Sequence, residues 1–241
     1  MTVNPYNDEE QKVSQVQRMF NRIAPTYDKL NRIISLGLDN SWRQRAIELL
    51  APFQPKELLD IATGTGDLAI DLVRTIPSIK SIIGADISAE MMRYGQEKVR
   101  NLGLEEIISF QQEDCTNLSF PDKSFDAVTI AFGIRNFEDI PRAAKELHRV
   151  LREGKPVVIL ELTEPKNKIL KLGYDFYTSK FIPWVGSKIS DDDNAYEYLP
   201  KSIAAAPQRE AMLQIFKEAG FTETYYKSLF PGTCTIYVAV K

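Results

Sequence analysis

Short apolar runs alternate with helical patterns through the middle of the chain, and this alternation constrains the fold more than any other feature. Helical patterns at 68–74, 89–102 and 141–151 lie between runs of strand length. The runs occupy residues 57–62, 81–86, 106–111, 125–131 and 156–162. Buried strands that alternate with helices form a parallel sheet covered on both faces, with right-handed crossovers. We therefore predict a doubly wound α/β fold.

The pattern changes after Gly220, where two strand-like runs follow each other without a helix between them. They occupy residues 221–229 and 234–240 and are separated by F-P-G-T. A short turn that contains Pro and Gly between two strands is typical of an antiparallel hairpin. The complete prediction is a mostly parallel seven-stranded sheet that ends in a C-terminal antiparallel hairpin at its edge.

Two regions lie outside this alternation and complete the predicted organisation. Residues 8–50 carry helical spacing, which predicts N-terminal helices before the sheet. Residues 164–207 form an aromatic-rich insertion, and we predict a helical cap there because long irregular loops are uncommon in compact domains. The chain is expected to form one domain over 1–241, with the sheet core at 51–163 and a last helix and hairpin at 208–241.

Composition narrows the classes of function. The chain of 241 residues carries a formal net charge of −3, which gives no reason to expect a nucleic-acid partner. Its two cysteines, Cys115 and Cys234, have neither a disulfide nor a metal-site spacing, so no metal site is predicted. The sequence has no signal-like apolar segment and no run of about 18 apolar residues. We expect a cytoplasmic protein; a peripheral contact with the inner face of the membrane stays open, and the oligomeric state is not indicated.

A glycine turn follows the first predicted strand, in the stretch D-I-A-T-G-T-G-D at residues 60–67. Gly64 and Gly66 begin a G-x-G-x-x-A pattern, and such glycines let the backbone turn sharply and approach a ligand. Asp86 follows Gly66 by 20 residues, at the end of the second strand, where a carboxylate accepts hydrogen bonds from ribose hydroxyls. The pattern predicts a nucleoside site; an ordinary helix-entry turn beside an unrelated acid is the alternative.

Four aspartates near this turn favour a cationic ligand. We expect Asp60, Asp67, Asp86 and Asp114 at the rim of the site, where Asp67 in the first helical turn would repel a pyrophosphate. S-adenosylmethionine carries a ribose, an adenine, an ammonium and a sulfonium, and it has no phosphate. Asp114 can accept from the adenine amine, and the backbone N–H of Cys115 can reach a ring nitrogen. The acids disfavour the alternative, a dinucleotide-dependent oxidoreductase.

Several stretches resemble class I methyltransferases, and the resemblance implies a Rossmann-like fold. They are the glycine turn, the strand-end Asp86, E-D-C-T-N-L-S-F-P-D-K-S-F-D and the late E-A-G-F. More closely, the chain resembles the C-methyltransferase family of ubiquinone and menaquinone biosynthesis over nearly its whole length. The signatures that carry this resemblance are Y-D-K-L-N-R-I-I-S-L-G-L-D-N-S-W-R at 27–43, R-N-F-E-D-I-P-R-A-A-K-E at 135–146, and Y-D-F-Y, I-P-W-V-G and Y-E-Y-L-P-K-S-I at 174–177, 182–186 and 196–203.

The resemblance implies S-adenosylmethionine as the cofactor and places Thr65, Asp86, Asp114 and Cys115 at the family's cofactor positions. Ala131 departs from the pattern, because some relatives have serine there, and we expect one polar cofactor contact to be missing. The implied reaction is C-methylation of a demethylated prenyl-quinol. Demethylmenaquinol is favoured and the benzoquinol of the ubiquinone route comes next. A sterol or phenol substrate, or a non-catalytic role in a biosynthetic complex, stays an alternative.

The first two signatures hold the candidate catalytic residues that the resemblance suggests. The quinol hydroxyl must lose its proton so that the adjacent ring carbon can attack the sulfonium methyl in line. Arg135 is expected to stabilise the developing oxyanion, and Asn136 to orient the ring. Tyr27 or Asp28 would relay the proton.

Each candidate also has a purely structural alternative. Arg135 would pair with Glu138 or Asp139 on the next helix. Tyr27 would pack the N-terminal helices against the sheet, and Asp28 would cap a helix.

A prenyl tail needs an apolar groove, and the aromatic insertion suggests where it lies. The helices of 8–50 and the insertion 164–207 are expected to enclose a groove over the cofactor. The alternative is that these aromatic residues fill an ordinary core. Contact with the membrane would be transient, because the sequence has no obvious amphipathic cationic helix.

Overall fold

A mixed sheet of seven strands organises the chain. The computed structural model describes residues 3–6, 8–182, 184, 188 and 192–241. Its strands are β1 (Glu57–Ile61), β2 (Ser81–Asp86), β3 (Ile108–Gln112), β4 (Ala127–Ala131), β5 (Pro156–Leu162), β6 (Glu223–Leu229) and β7 (Cys234–Val240).

The order of the strands keeps the parallel ones together and sets the hairpin at one edge. Across the sheet the order is β3-β2-β1-β4-β5-β7-β6, and β7 runs antiparallel to both of its neighbours. The direction of winding reverses between β1 and β4, and open α/β sheets bind ligands beyond the carboxyl ends of strands at such a point. The predicted doubly wound, mostly parallel sheet with its C-terminal hairpin is confirmed.

Two of the parallel strands begin later than expected, for local reasons. The third was expected from residue 106, but Ile107 belongs to a turn in which its N–H donates to the carbonyl of Leu104. The fourth was expected from residue 125, but Phe125 forms only an isolated bridge to Leu151. In both cases the apolar run extends past the residues that pair in the sheet.

Helices cover both faces of the sheet and extend beyond it. They are α1 (Lys12–Ile23), α2 (Tyr27–Ile34), α3 (Leu38–Leu50), α4 (Asp67–Thr75), α5 (Ala89–Asn101), α6 (Ile140–Val150), α7 (Lys168–Phe176), α8 (Asp193–Ala205) and α9 (Glu210–Glu218). The Ser88 hydroxyl accepts from the N–H of Met91 and caps α5, and the Asp139 carboxylate accepts from the N–H of Arg142 and caps α6. These caps fix where the helices begin after β2 and β4.

The period-two pattern of β5 divides the core into two layers. Val157 and Ile159 pack with residues of α6 and α9 on one face of the sheet. Val158 and Leu160 point to the other face and pack with residues of α3 and α4. A strand buried on both faces reads as a continuous apolar run, which is why β5 could be recognised in the sequence.

The N-terminal helices and the insertion form a third cluster beside the sheet. Met19 of α1 and Leu30 of α2 pack there with Tyr196 and Tyr198 of α8. The predicted N-terminal helices and helical cap are confirmed for the described residues, which include α7, a π-helical turn at Tyr177–Phe181 and α8. Most of the I-P-W-V-G signature lies outside the described residues. One domain with the boundaries given above stays a prediction.

None of the helices that the structure describes combines the length and the apolar character needed to cross a bilayer.

Candidate active site

The glycine turn is held by the carboxylate of Asp86. Gly64 and Gly66 have φ angles of +57° and +79°, in the left-handed region that favours glycine. The N–H of Gly64 donates to Asp86 Oδ2 at 2.8 Å, and the N–H of Ser88 donates to Oδ1 at 2.8 Å. Burial raises the pKa of Asp86, and these two donors oppose that shift by stabilising the anion. Asp86 therefore joins the ends of β1 and β2.

A cleft opens beyond this turn, and we call it the glycine-turn cleft. The cleft is open to solvent, and its empty volume, with the solvent-open space included, is about 790 Å³. It is lined by Val13, Val16, Phe20, Tyr27, Ile61, Ala62, Gly64, Ala85, Asp86, Ile87, Met91, Glu113, Asp114, Cys115, Leu118, Ala131, Phe132, Gly133, Asn136, Phe137 and Glu138. Of the predicted cofactor residues, Gly64, Asp86, Asp114 and Cys115 line this cleft, whereas Thr65 and Gly66 lie behind it.

The expected rim of four aspartates is wrong for Asp60 and Asp67. Asp60 is buried, accepts hydrogen bonds from the hydroxyls of Thr63 (2.7 Å) and Thr129 (2.6 Å), and does not line the cleft. Burial raises its pKa to about 6, although the two hydroxyl donors oppose the shift. The carboxylate of Asp67 pairs instead with Lys98 Nζ at 2.7 Å. The side chain of Asp60 points from β1 to a face of the sheet that helices cover. The sequence alone does not show this burial, because Asp60 stands near the end of a strand as Asp86 does.

Two acids that the sequence analysis missed join Asp86 and Asp114 along the cleft. Glu113 precedes Asp114, and Glu138 follows the loop after β4. The cleft therefore keeps an anionic lining, but with a different set of carboxylates. The position of Glu113 after a parallel strand was the one signal in the sequence that could have identified it.

Thr65 connects the glycine turn to helix α2 by a hydrogen bond. Its hydroxyl donates to Asp28 Oδ1 at 2.6 Å and accepts from Lys98 Nζ at 3.0 Å. Lys98 also pairs with Asp28 at 2.5 Å. The carboxylate of Asp28 thus binds across to another part of the chain, and the expectation that it only caps a helix is wrong. These contacts hold α2 over the turn.

A larger cavity lies under the cap, and we call it the cap cavity. Its empty volume is about 1670 Å³, and its walls come mainly from α1, α2, α3 and the insertion 164–207. Most of the wall is apolar: Met19, Ile23, Ile34, Leu38, Trp42, Leu162, Leu170, Ile182, Leu199 and Ile203 line it. Tyr174, Tyr177, Tyr196 and Tyr198 also line it. The expected groove between the N-terminal helices and the insertion is therefore present, although some of these aromatic residues also belong to the core.

The two cavities meet at one place. Phe20, Tyr27, Phe132 and Asn136 line both of them. Tyr27 comes from α2, and its ring also packs edge-on against Phe20 with 6.1 Å between the centroids. Ligands that fill the two cavities would touch at this junction.

Arg135 lies beside the junction in a buried ion pair. Its Nη1 donates to Glu161 Oε1 at 2.7 Å and to the carbonyl of Phe132, and its backbone N–H donates to Glu161 Oε2 at 3.2 Å. Pairing with Glu138 or Asp139, the structural alternative from the sequence, is wrong. Glu161 stands near the end of β5, and the sequence offered no signal for this partner because the contact spans two strands.

Four buried polar side-chain atoms of residues that line the cap cavity have no hydrogen-bond partner among the described residues. They are Arg135 Nε, Asn136 Oδ1, Tyr174 Oη and Tyr198 Oη. Buried polar atoms are rarely left unpaired in folded proteins. A group of donors and acceptors on the residues that line a mainly apolar cavity is suited to a ligand with a polar head and an apolar body.

The tyrosines around Arg135 remain protonated donors. Burial raises the pKa of Tyr198 to about 12 and also raises the pKa values of Tyr27 and Tyr174. The positive charge of Arg135 opposes the shift in all three. Burial also raises the pKa of the Cys115 thiol, which disfavours the nucleophilic thiolate form.

The fold and the glycine-turn cleft are those of class I methyltransferases that use S-adenosylmethionine. A solved SAM-dependent methyltransferase of Thermotoga maritima has the same fold, with a TM-score of 0.66 and 20% identity over 93% of this chain and 99% of that chain. The chain belongs to the ubiE/COQ5 methyltransferase family, whose model matches residues 7–241.

Two curated relatives illustrate the match over nearly the full length. The chain is 51% identical over 239 residues to the demethylmenaquinone methyltransferase of Porphyromonas gingivalis, covering 99% of this chain and 98% of the relative. It is 40% identical over 231 residues to the ubiquinone/menaquinone biosynthesis C-methyltransferase UbiE of Geotalea uraniireducens, covering 96% and 98%. The family, the methyltransferase activity and the cofactor S-adenosylmethionine expected from the sequence are confirmed, and the oxidoreductase alternative is not favoured.

Replacement of Asp86 tests the assignment of the glycine-turn cleft to the cofactor. In Asp86→Asn, an amide N–H must face the N–H of Gly64 or Ser88, and one of the two oxygens expected to accept from ribose hydroxyls is lost. We expect the Kd for S-adenosylmethionine, measured by calorimetry, to rise at least ~10-fold. Asp67→Asn is the matched control: this acid pairs with Lys98, and its Kd should change by less than about threefold. Equal losses in the two variants would contradict the assignment.

Proposed function

We propose that this chain transfers the methyl group of S-adenosylmethionine to a ring carbon of a demethylated prenyl-quinol, first of all demethylmenaquinol. The observation that carries the proposal is that a cleft with an anionic lining meets a larger, mainly apolar cavity whose lining residues carry unpaired polar atoms. The name of the Porphyromonas gingivalis relative supports the naphthoquinol. The name of the Geotalea uraniireducens relative supports the benzoquinol of the ubiquinone route as a second substrate.

The cofactor occupies the glycine-turn cleft in this proposal. Asp86 accepts from the ribose hydroxyls, Asp114 accepts from the adenine amine, and the backbone N–H of Cys115 donates to an adenine nitrogen. Thr65 and Gly66 act from behind the cleft by holding the turn in shape. Ala131 lines the cleft with a methyl group, consistent with the loss of a polar contact there.

The quinol ring lies at the junction, with its carbon facing the sulfonium methyl. The hydroxyl proton leaves first, and the adjacent ring carbon forms the new bond to the methyl while the bond from methyl to sulfur breaks. The ring proton then leaves, and the phenolate oxygen takes up a proton again. The products are a methylated quinol, S-adenosylhomocysteine and one proton. The protein contributes mainly alignment of the two reactants and stabilisation of the oxyanion.

Arg135 stabilises that oxyanion. Its charge already favours the anionic form of three buried phenol groups, so it would lower the pKa of a quinol hydroxyl in the same place. Asn136 Oδ1 accepts from a quinol hydroxyl and orients the ring. Tyr27 passes the proton at the junction, because burial keeps its own hydroxyl protonated. Asp28 already binds Thr65 and Lys98 and therefore serves the relay less directly.

The second oxygen of the quinol ring and the prenyl tail would lie in the rest of the cap cavity. The unpaired hydroxyls of Tyr174 and Tyr198 donate to a quinol oxygen. The apolar walls take the first prenyl units. Because prenylated quinols reside in the bilayer, the chain acts as a cytoplasmic protein that contacts the inner face of the membrane transiently.

A methyl-transfer assay tests the proposed reaction. The protein is incubated with S-adenosylmethionine labelled in its methyl group and with reduced demethylmenaquinone or its benzoquinone counterpart. We expect the label on a ring carbon of the naphthoquinol, identified by mass spectrometry and NMR. Label on oxygen, or no labelled quinol with either substrate, would overturn the proposal.

Removal of one hydroxyl tests the polar end of the cap cavity. In Tyr198→Phe a buried, unpaired hydroxyl is lost, so the free energy of unfolding should stay the same or rise, while kcat/KM falls ~10-fold or more. Tyr237→Phe makes the same chemical change away from the cavities. It removes the acceptor for the N–H of Arg209, at 2.8 Å, and should lower the free energy of unfolding by ~1–2 kcal/mol with kcat/KM unchanged.

Urea unfolding and steady-state kinetics measure both variants. The prediction fails if Tyr198→Phe loses stability and keeps its kcat/KM, because the hydroxyl would then have a structural partner.

A further inference from the structure

Helix α7 exposes three large apolar side chains on one face. Ile169, Leu172 and Phe176 are 82%, 74% and 70% exposed. Their spacing of three and then four residues places them along one stripe of a helix with 3.6 residues per turn. A stripe of this kind on a helix is ordinarily buried, and here no described element covers it.

The neighbouring faces of the same helix have different surroundings. Leu170, Gly173 and Tyr174 line the cap cavity. Lys171 and Asp175 lie on a third face and pair with each other at 3.1 Å. Helix α7 is therefore a wall between the cap cavity and the outside, with its apolar stripe next to the lining of the cavity.

Two other segments expose apolar side chains where they border the same cavity. Leu36, between α2 and α3, is 69% exposed and also lines the cavity. Phe230 is 89% exposed and precedes Pro231, which lines the cavity. The hydroxyl of Tyr177 donates to the carbonyl of Ile34 at 2.8 Å and joins the first segment to the end of α7. Together with the stripe, these residues expose apolar side chains on three segments that border the cap cavity.

We propose that this surface, formed by Ile169, Leu172, Phe176, Leu36 and Phe230, docks the protein on a lipid bilayer. The inference rests on the proposed function, because a prenyl tail that leaves the bilayer there enters the cap cavity without crossing water. The side chains project singly from three segments, and fluid acyl chains can enclose such projections without a matching groove.

Charge around the surface agrees with this partner. Arg32, Lys168 and Lys180 are exposed in or beside the same segments and form no ion pair with any described residue. Cations next to an inserted apolar stripe are attracted to anionic headgroups. The surface was missed in the sequence because the charges of α7 itself nearly cancel.

Vesicle flotation tests the docking surface. The full chain is mixed with vesicles of phosphatidylethanolamine and phosphatidylglycerol, or of phosphatidylcholine alone, and the bound fraction is measured. We expect Ile169→Ser/Leu172→Ser/Phe176→Ser to lower partitioning at least ~10-fold. Leu102→Ser is the matched control: Leu102 is also exposed but follows α5 at the opposite edge of the sheet, and partitioning should be unchanged.

Three further measurements separate the outcomes. All variants should methylate a quinol with a single prenyl unit in buffer at the same rate, while the triple variant loses activity on a long-chain quinol held in vesicles. If neither the wild type nor any variant methylates the single-prenyl quinol, the proposed function is overturned. The fraction bound to vesicles then tests the docking surface alone. Equal flotation of the wild type and the triple variant would overturn the docking surface. Light scattering that detects a dimer abolished by the triple variant would assign the surface to a second copy of the chain instead.

Discussion

The parallel arrangement of the five strands β1 through β5 is the constraint on which the rest of the structure depends. Because these strands run in one direction, their carboxyl ends meet at one edge of the sheet, and every loop that follows them faces the same space. Gly64 follows β1, Asp86 ends β2, Asp114 follows β3 and Arg135 follows β4. Residues that are far apart in the chain thus surround one cleft. The hydrogen bonds of Asp86 hold the loop after β1 and the loop after β2 in fixed positions relative to each other.

The edge of the sheet provides a cleft, and the additional helices supply most of the walls of the second cavity that meets it. The contacts of Asp28 with Thr65 and Lys98 hold α2 over the glycine turn and bring Tyr27 to the boundary of both cavities. Arg135 and Glu161 place a buried charge pair beside that boundary. A buried ion pair contributes little to stability on balance, because both ions lose hydration. In the proposed reaction, the charge of Arg135 next to the unpaired phenol groups would stabilise the oxyanion.

The fold could be read from the sequence because its signals are local. The apolar run of β5, the glycine turn and the strand-end Asp86 can each be recognised from a few neighbouring residues. The candidate site was only partly predictable, since its chemistry depends on distant contacts. Asp60 and Asp86 both stand near strand ends, yet one is buried between two threonine hydroxyls and the other lines the cleft. The pairing of Arg135 with Glu161 and the unpaired hydroxyl of Tyr198 arise from strands and helices that only the folded chain brings together.

The most direct test of the account is a crystal structure of the protein with S-adenosylhomocysteine and a short-chain demethylmenaquinol. The account requires the thioether sulfur and an unsubstituted ring carbon to face each other between Tyr27 and Asn136. One quinol oxygen should lie within hydrogen-bond distance of Asn136 or Arg135, and the tail should run along the cap cavity. A quinol ring bound away from this junction, or a nucleoside outside the glycine-turn cleft, would contradict the account.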